Sequence, residues 1–394
     1  MSRLRLIIAA CAAAFVLVTI FAASRAEAIP AFARKYQMSC STCHAPFPRL
    51  KPYGEEYAGR GFRLEDPSKE PSRATYDVGD PLLKLSRELP LAVRMEGHVA
   101  WKENGSSSQS DFESPWVFKI LSGGPLSNTA SYYLYFIFEE GEVIGLEDAY
   151  FQLNNILKLP IDLLAGQFQV SDPLFKRELR LTRFDYAIYK TRVGAVNMDL
   201  TYDRGIALAW HAPAELETML QVVNGNGLAL ANDFGNFDRD QYKNFSLRLA
   251  RSFGGMRLGA FGYWGKEKGN NGRSNRTLYW GPDLALGLGE HWQFSAEYLE
   301  RRDDDPFYAN NAGDDLVTRG GFAELHFFPR GADGRWILTG LYNNVDSDDV
   351  NARAKTVSLT GNYLLSRNVR LLMEAGRDIE QDKNRVSMGL ITAF

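Results

Sequence analysis

The 394 residues carry 45 Lys and Arg against 48 Asp and Glu, a formal net charge of −3 at pH 7. That balance excludes the basic footprint of a nucleic-acid-binding chain. The length admits two ordinary domains or one large β structure, and 18 Tyr, 24 Phe and 35 Gly favour sheet over helix.

The chain opens as a signal peptide over residues 1–28. Arg3 and Arg5 form a basic start, residues 6–23 an apolar core, and Ala26-Glu27-Ala28 a small-x-small cleavage box. An uncleaved anchor is the competing reading. Cleavage removes Cys11, leaving Cys40 and Cys43 as the cysteines of an exported protein.

Residues 29–64 hold the motif Cys40-Ser41-Thr42-Cys43-His44, the C-x-x-C-H spacing of a c-type haem attachment site. Two thiols three apart on one helical turn reach the two vinyl groups of a porphyrin, and the adjacent His44 reaches the iron. A zinc knuckle needs a fourth ligand, and no other Cys or His lies nearby. A redox dithiol wants a thioredoxin-like βαβ setting, which the surroundings lack. Chance occurrence is the remaining alternative. The motif therefore predicts one covalent haem c. A short helix is expected over 36–45, stopped by Pro46 and Pro48. About 35 residues are too few for a core of their own, so the segment must dock on a haem or a larger body. Phe32, Phe47, Leu50, Tyr53 and Phe62 are its apolar contacts. Residues 65–89, polar and broken by Pro67, Pro71 and Pro81, read as a linker.

From residue 90 to the end the period changes to two. Leu91, Val93, Met95, Val99 and Trp101 alternate with Arg94, Glu96 and His98. The pattern predicts strands at 90–101, 114–122, 130–139, 146–154, 161–170, 203–212, 215–223 and 242–252. Eight more follow at 255–265, 277–288, 291–302, 317–329, 335–346, 355–366, 369–379 and 385–394. Tight links (Pro213-Ala214, Gly289-Glu290, Arg367-Asn368) alternate with long ones near 171–202, 224–241, 266–276 and 303–316. The expected fold is mainly β: a 16-stranded antiparallel transmembrane β-barrel of outer-membrane type over 90–394, with a short N-terminal helical haem plug. Trp101, Trp280, Trp292, Trp336 and Tyr298 form the aromatic girdle. Phe394 resembles the terminal aromatic that marks such barrels for assembly. A soluble β-sandwich is the alternative. The inward face carries Arg94, Glu96, His98, Lys119, Arg248, Glu297, Glu324, His326, Arg370 and Glu374, read as a solvated wall.

Gly145-Leu146-Glu147-Asp148-Ala149-Tyr150, then Ala165-Gly166-Gln167-Phe168 and a basic loop, resembles phosphate-selective porins. Lys176, Arg177, Arg180 and Arg183 of that loop either constrict the lumen or lie exposed. Asp303, Asp304, Asp305, Asp314, Asp315, Asp346, Asp348 and Asp349 fall in outer loops. They either attract a hard cation or are ordinary loop charges.

Pro30-Ala31-Phe32-Ala33-Arg34, the C-x-x-C-H, Pro48-x-Leu50 and Gly54, followed by a complete barrel, resemble the fused monohaem cytochrome–porin family. That family includes outer-membrane Fe(II) oxidases of iron-oxidising bacteria. Lys35-Tyr36-Gln37 stands where those oxidases carry Gln-Thr-Gly. The resemblance implies an outer-membrane protein moving electrons from an extracellular donor, Fe(II), to a periplasmic c-type cytochrome or other carrier. The alternatives are a porin for small solutes or anions with a haem plug or redox gate, and a diffusion porin without haem. The haem segment is expected in the barrel lumen or on its periplasmic side. The haem contacts are Cys40, Cys43 and His44, with His98 as candidate second iron ligand and Met38 a weaker one.

Overall fold

The computed structural model describes residues 31–66, 69, 75–83, 85–87, 90–105, 107–212, 215–309 and 315–394. The leader, Pro67, Pro71, Pro213-Ala214 and Asp314 lie outside them.

Alternation builds the wall. After a two-residue ladder between β1 (Thr75–Tyr76) and β2 (Leu85–Ser86), the barrel begins with β3 (Leu91–Asn104), β4 (Ser107–Pro125), β5 (Ala130–Glu139) and β6 (Glu142–Leu153). It continues through β7 (Ile161–Gln169), β8 (Tyr202–Ala212), β9 (Leu216–Val223), β10 (Asn244–Phe253), β11 (Met256–Lys268) and β12 (Ser274–Leu288). It ends with β13 (Trp292–Asp303), β14 (Leu316–Phe327), β15 (Trp336–Ser347), β16 (Ala354–Ser366), β17 (Val369–Asp378) and β18 (Lys383–Ala393). Each strand pairs antiparallel with the next, and β18 pairs with β3, closing sixteen strands without a free edge. Phe394 sits at the seam: Val93 N–H donates to its carbonyl at 2.6 Å, and its own N–H donates to the Val93 carbonyl at 2.9 Å.

Both expected faces are present. Leu91, Met95 and Val99 are exposed while His98 and Ala100 are buried. Trp264, Trp280, Trp292 and Tyr298 stand exposed on the outer face. A closed barrel with an apolar outside is built for lipid. Among the described residues no helix is long and apolar enough to cross a membrane.

The strand count and placement follow the period-two reading, with one clear difference. The first hairpin runs on to Asn104 and restarts at Ser107, so β4 is 19 residues long rather than starting near 114. Ser107–Phe112 are all exposed. With water on both faces the segment has no apolar alternation to reveal a strand. The turn is made at Gly105, whose φ of 57° suits glycine. Two outer connections, at Gly105 and at Glu140-Gly141, are therefore tight.

The N-terminal segment also differs from expectation. Instead of one helix over 36–45 there are two, α1 (Ala31–Tyr36) and α2 (Cys40–Cys43), followed by α3 (Pro52–Gly59). Gln37, at φ 53°, breaks the first. Ser39 starts the second, its hydroxyl accepting from Ser41 N–H at 3.3 Å.

The lumen is not simply a wet wall. Residues 170–201, between β7 and β8, fold into it. Val170, Leu174, Tyr186, Ile188, Tyr189 and Leu200 form one buried cluster with Phe261, Tyr263, Tyr279, Leu299 and Phe322 of the opposite wall. The inward residues expected to be solvated, among them Glu297, Glu324, Arg370 and Glu374, are buried as a result.

Candidate functional site

The plug, residues 31–64, packs its own rings first. Phe32 stacks on Phe62 at 4.9 Å between centroids, and Tyr57 meets Phe32 edge-on at 5.5 Å. Phe62 then stacks on Tyr133 of the wall at 5.4 Å. Polar contacts tie the segment around the rim that carries the chain ends. Arg34 donates to the Leu91 carbonyl (2.7 Å), Arg63 to the Asn128 carbonyl (2.6 Å), and Lys51 to Asp333 (2.7 Å). Gln152 and Asn154 both donate to the Gly59 carbonyl. These partners sit on β3, on the short turns after β4 and β14, and at the end of β6, so the plug is seated in the mouth at this rim. Phe32 and Phe62 bury as expected, whereas Tyr53 remains exposed.

Cys40 and Cys43 share the single turn of α2, both free and half-buried. Burial raises the pKa of both thiols, as does the neighbouring Cys40 for Cys43. Neither is the low-pKa thiolate of a redox dithiol. His44 closes the turn, its N–H donating to the Cys40 carbonyl at 2.8 Å. The His44 Nδ1 lies 3.0 Å from the Pro48 carbonyl and 3.2 Å from that of Arg49. A carbonyl can only accept, so Nδ1 carries the proton and Nε2 keeps its lone pair. Burial lowers the His44 pKa, against the two carbonyls that raise it. Burial thus favours the neutral imidazole. Gly54 lets α3 approach: a Cβ there would meet the Cys43 carbonyl oxygen at 2.4 Å.

His98 belongs to the wall. It stands on β3 with its side chain fully buried and neither ring nitrogen hydrogen-bonded, its Nε2 3.6 Å from Glu96. The ring fits because Gly389 opposite has no Cβ; one there would fall 1.9 Å from Nδ1. The charged groups around it are Glu96, Glu113 and Arg183, on the wall and the lumen loop. Besides Leu91, the plug meets β3 through Phe47, whose ring lies 5.6 Å from the Arg94 guanidinium. Between Arg94 and His98 stands Glu96, whose carboxylate meets both. His326 is also near the plug: Phe328 lies 6.0 Å from it and 5.9 Å from the plug's Arg49. Its nitrogens face Thr339 and Glu324.

The basic loop lies inside the lumen, with Arg177 buried, Arg180 and Arg183 half-buried and Lys176 exposed. Arg177 makes a two-nitrogen contact with Asp185 (Nε to Oδ2, 3.0 Å). Arg183 donates to Glu113 at 2.8 Å, and its backbone N–H donates to Glu374 at 2.7 Å. Lys119 of the wall pairs with Glu178, and Tyr186 donates to Glu324 at 3.0 Å. Between loop and wall remains a cavity of about 410 Å³, lined by Arg94, Lys119, Arg180, Arg183, Arg370 and Arg385 together with carboxylates.

Most of the described outer-loop acids are engaged. Asp303 pairs with Arg301, Asp305 with Arg273, Asp346 with Arg353, and Asp349 accepts from Gly194 N–H. Among the described residues no group of three or more His, Cys, Asp or Glu is placed to hold a metal ion.

No protein-family model and no curated protein matches the chain. Solved structures do. An anion-selective porin from Comamonas acidovorans superposes with a TM-score of 0.59 at 11% identity, over 78% of this chain and 99% of that one. The outer-membrane protein OmpT of Vibrio cholerae, in its trimer form, gives 0.54 at 11%, over 78% and 99%. Salmonella typhi OmpF, in complex with daunomycin, gives 0.54 at 12%, over 81% and 100%. At these identities the likeness is one of fold, and the fold is that of a porin.

Proposed function

We propose that the chain is an outer-membrane porin for small anionic solutes, with residues 31–64 as a haem-bearing plug in its periplasmic mouth. The observation that carries this is the pairing of a seated plug with a charged cavity beyond it. Lipid surrounds the apolar belt, and the rim with the chain ends and short turns faces the periplasm. The plug is held by its small aromatic core and a few rim contacts, so it is a removable stopper rather than part of the wall.

One haem c suits the plug: Cys40 and Cys43 would bind it covalently, and His44 would offer Nε2 to the iron. When bound, it supplies a one-electron centre at the mouth. The oriented His44 favours a second reading, in which electrons pass between an extracellular donor such as Fe(II) and a periplasmic c-type cytochrome or other carrier.

Solute flux through liposomes tests the first reading. The barrel lacking residues 31–64 should pass small anions several-fold faster than the full chain, and equal flux would end the plug role. Rapid reduction of the haem-loaded protein by Fe(II) would favour the second reading, and a haem inert to Fe(II) would remove it.

A further inference from the structure

We propose that the wall around Arg370 is a binding site for a small oxyanion, phosphate or a compact carboxylate, in the cavity beyond the plug. This deepens the porin reading by naming its ligand class. Seven of the described cations lining the cavity have a carboxylate within 4 Å: Arg94 has Glu96, Lys119 has Glu178, Arg183 has Glu113 and Arg385 has Glu374. Arg177, Arg180 and Lys190 share Asp185. Arg370 is the exception. It is 2% exposed, lines the cavity, and its Nε and Nη1 are buried without a hydrogen-bond partner. A buried guanidinium left unpaired is strongly unfavourable, and an anion in the cavity would satisfy it.

The surroundings set the kind of anion. Arg370 on β17 pairs with Ile391 on β18, which pairs with Glu96 on β3, so Arg370 and Glu96 lie in one row across three strands. Glu96 is already engaged by Arg94 and turned toward His98. Two guanidiniums and one carboxylate leave one positive charge. The Nε atoms of Arg94, Arg180 and Arg183 are also buried without partners, so donors come from both the wall and the lumen loop. Planar guanidinium forks match the oxygen spacing of phosphate and carboxylate. A spherical halide would use only part of that geometry. Arg94 also lies over the ring of Phe47 in the plug, three residues from His44, so one side chain links the cavity to the segment that closes the mouth.

Calorimetric titration of the full-length protein in detergent tests the site, with inorganic phosphate in one arm, acetate in a second and chloride in a third. Wild type should bind at least one oxyanion saturably and chloride more weakly. Arg370→Gln should weaken the oxyanion about tenfold or more, the cost of one charge-assisted contact. Arg370→Lys, which keeps the charge and loses the fork, should fall between. Arg276→Gln, on an exposed strand end, should change nothing. Heat-modifiable migration on gels reports that each variant closes its barrel. Equal affinities in wild type and Arg370→Gln, or chloride binding as tightly as the oxyanions, would overturn the site. So would the absence of saturable binding. Anion flux through the barrel lacking residues 31–64 judges the porin reading separately, since free flux without saturable binding sinks the site alone.

Discussion

The wall and the material inside it are built by different kinds of contact. A wall residue finds its partners on the strands before and after it, and its side-chain direction follows from its place in a period of two. The lumen loop and the plug find theirs at a distance. Tyr186 reaches Glu324, 138 residues on; Arg183 reaches Glu374, 191 on; Lys51 reaches Asp333, 282 on. Neither segment has a periodic apolar face, because each packs against a curved interior contributed by many strands. The wall makes the container, and what passes or stays within depends on contacts that local pattern does not encode.

The largest test of this division removes the plug's chemistry and leaves its container. Cys40→Ala with Cys43→Ala should abolish covalent haem on denaturing gels completely, while heat-modifiable migration of the barrel stays as in wild type. Haem staining equal to wild type would refute the attachment. Loss of the folded band would show that wall and plug are not separable.

The next test acts on the lumen loop. Leu200 is wholly buried in the cluster that joins the loop to the opposite wall. Leu200→Ala should weaken loop docking by about 2–5 kcal/mol, read as protease cleavage within 170–201 while the strands remain intact. Cleavage no faster than in wild type would mean that the polar contacts alone hold the loop.

That contrast marks how far the sequence is legible. All sixteen strands and their closure can be read, because each strand repeats one rule. The grouping of Cys40, Cys43 and His44 on one turn can be read because it is local: two thiols and an imidazole within five residues. The extended β3–β4 hairpin cannot, since Ser107–Phe112 are solvated on both faces and show no alternation. Nor can the break between α1 and α2, which rests on the positive φ of Gln37. The fate of Arg177, Arg180 and Arg183 depended on whether Asp185 and Glu113 would be near them in space. The unpaired state of Arg370 is visible only once the other described cations lining the cavity are matched with carboxylates. A run of basic residues ahead of an acidic one in 176–185 was the available signal for an internally paired loop.

Within the plug, Gly54 and Lys51 sharpen the comparison further, because one acts through packing and the other through charge at the surface. Gly54→Ala should disturb the motif directly. Its Cβ would press on the Cys43 carbonyl oxygen, a backbone atom that cannot turn aside. Overpacking of this kind costs about 1–3 kcal/mol, and it should lower the temperature at which residues 31–64 become protease-sensitive. An unchanged temperature would show that α3 can slide away from α2 freely.

The smallest effect belongs to Lys51→Ala. The Lys51–Asp333 pair is the latch with the longest reach in sequence, yet Asp333 is 68% exposed at its side chain and Lys51 22%. Exposed pairs contribute roughly 0–1 kcal/mol, and salt screens them. Release of the plug from the mouth should therefore rise by less than about fivefold, and the difference between wild type and variant should vanish in high salt. The ring stack of Phe62 on Tyr133 is indifferent to salt. If Lys51→Ala instead freed the plug outright at every ionic strength, the seat would be electrostatic. The aromatic contacts would then be too weak to hold it, reversing the relation argued here between a packed plug and its charged rim.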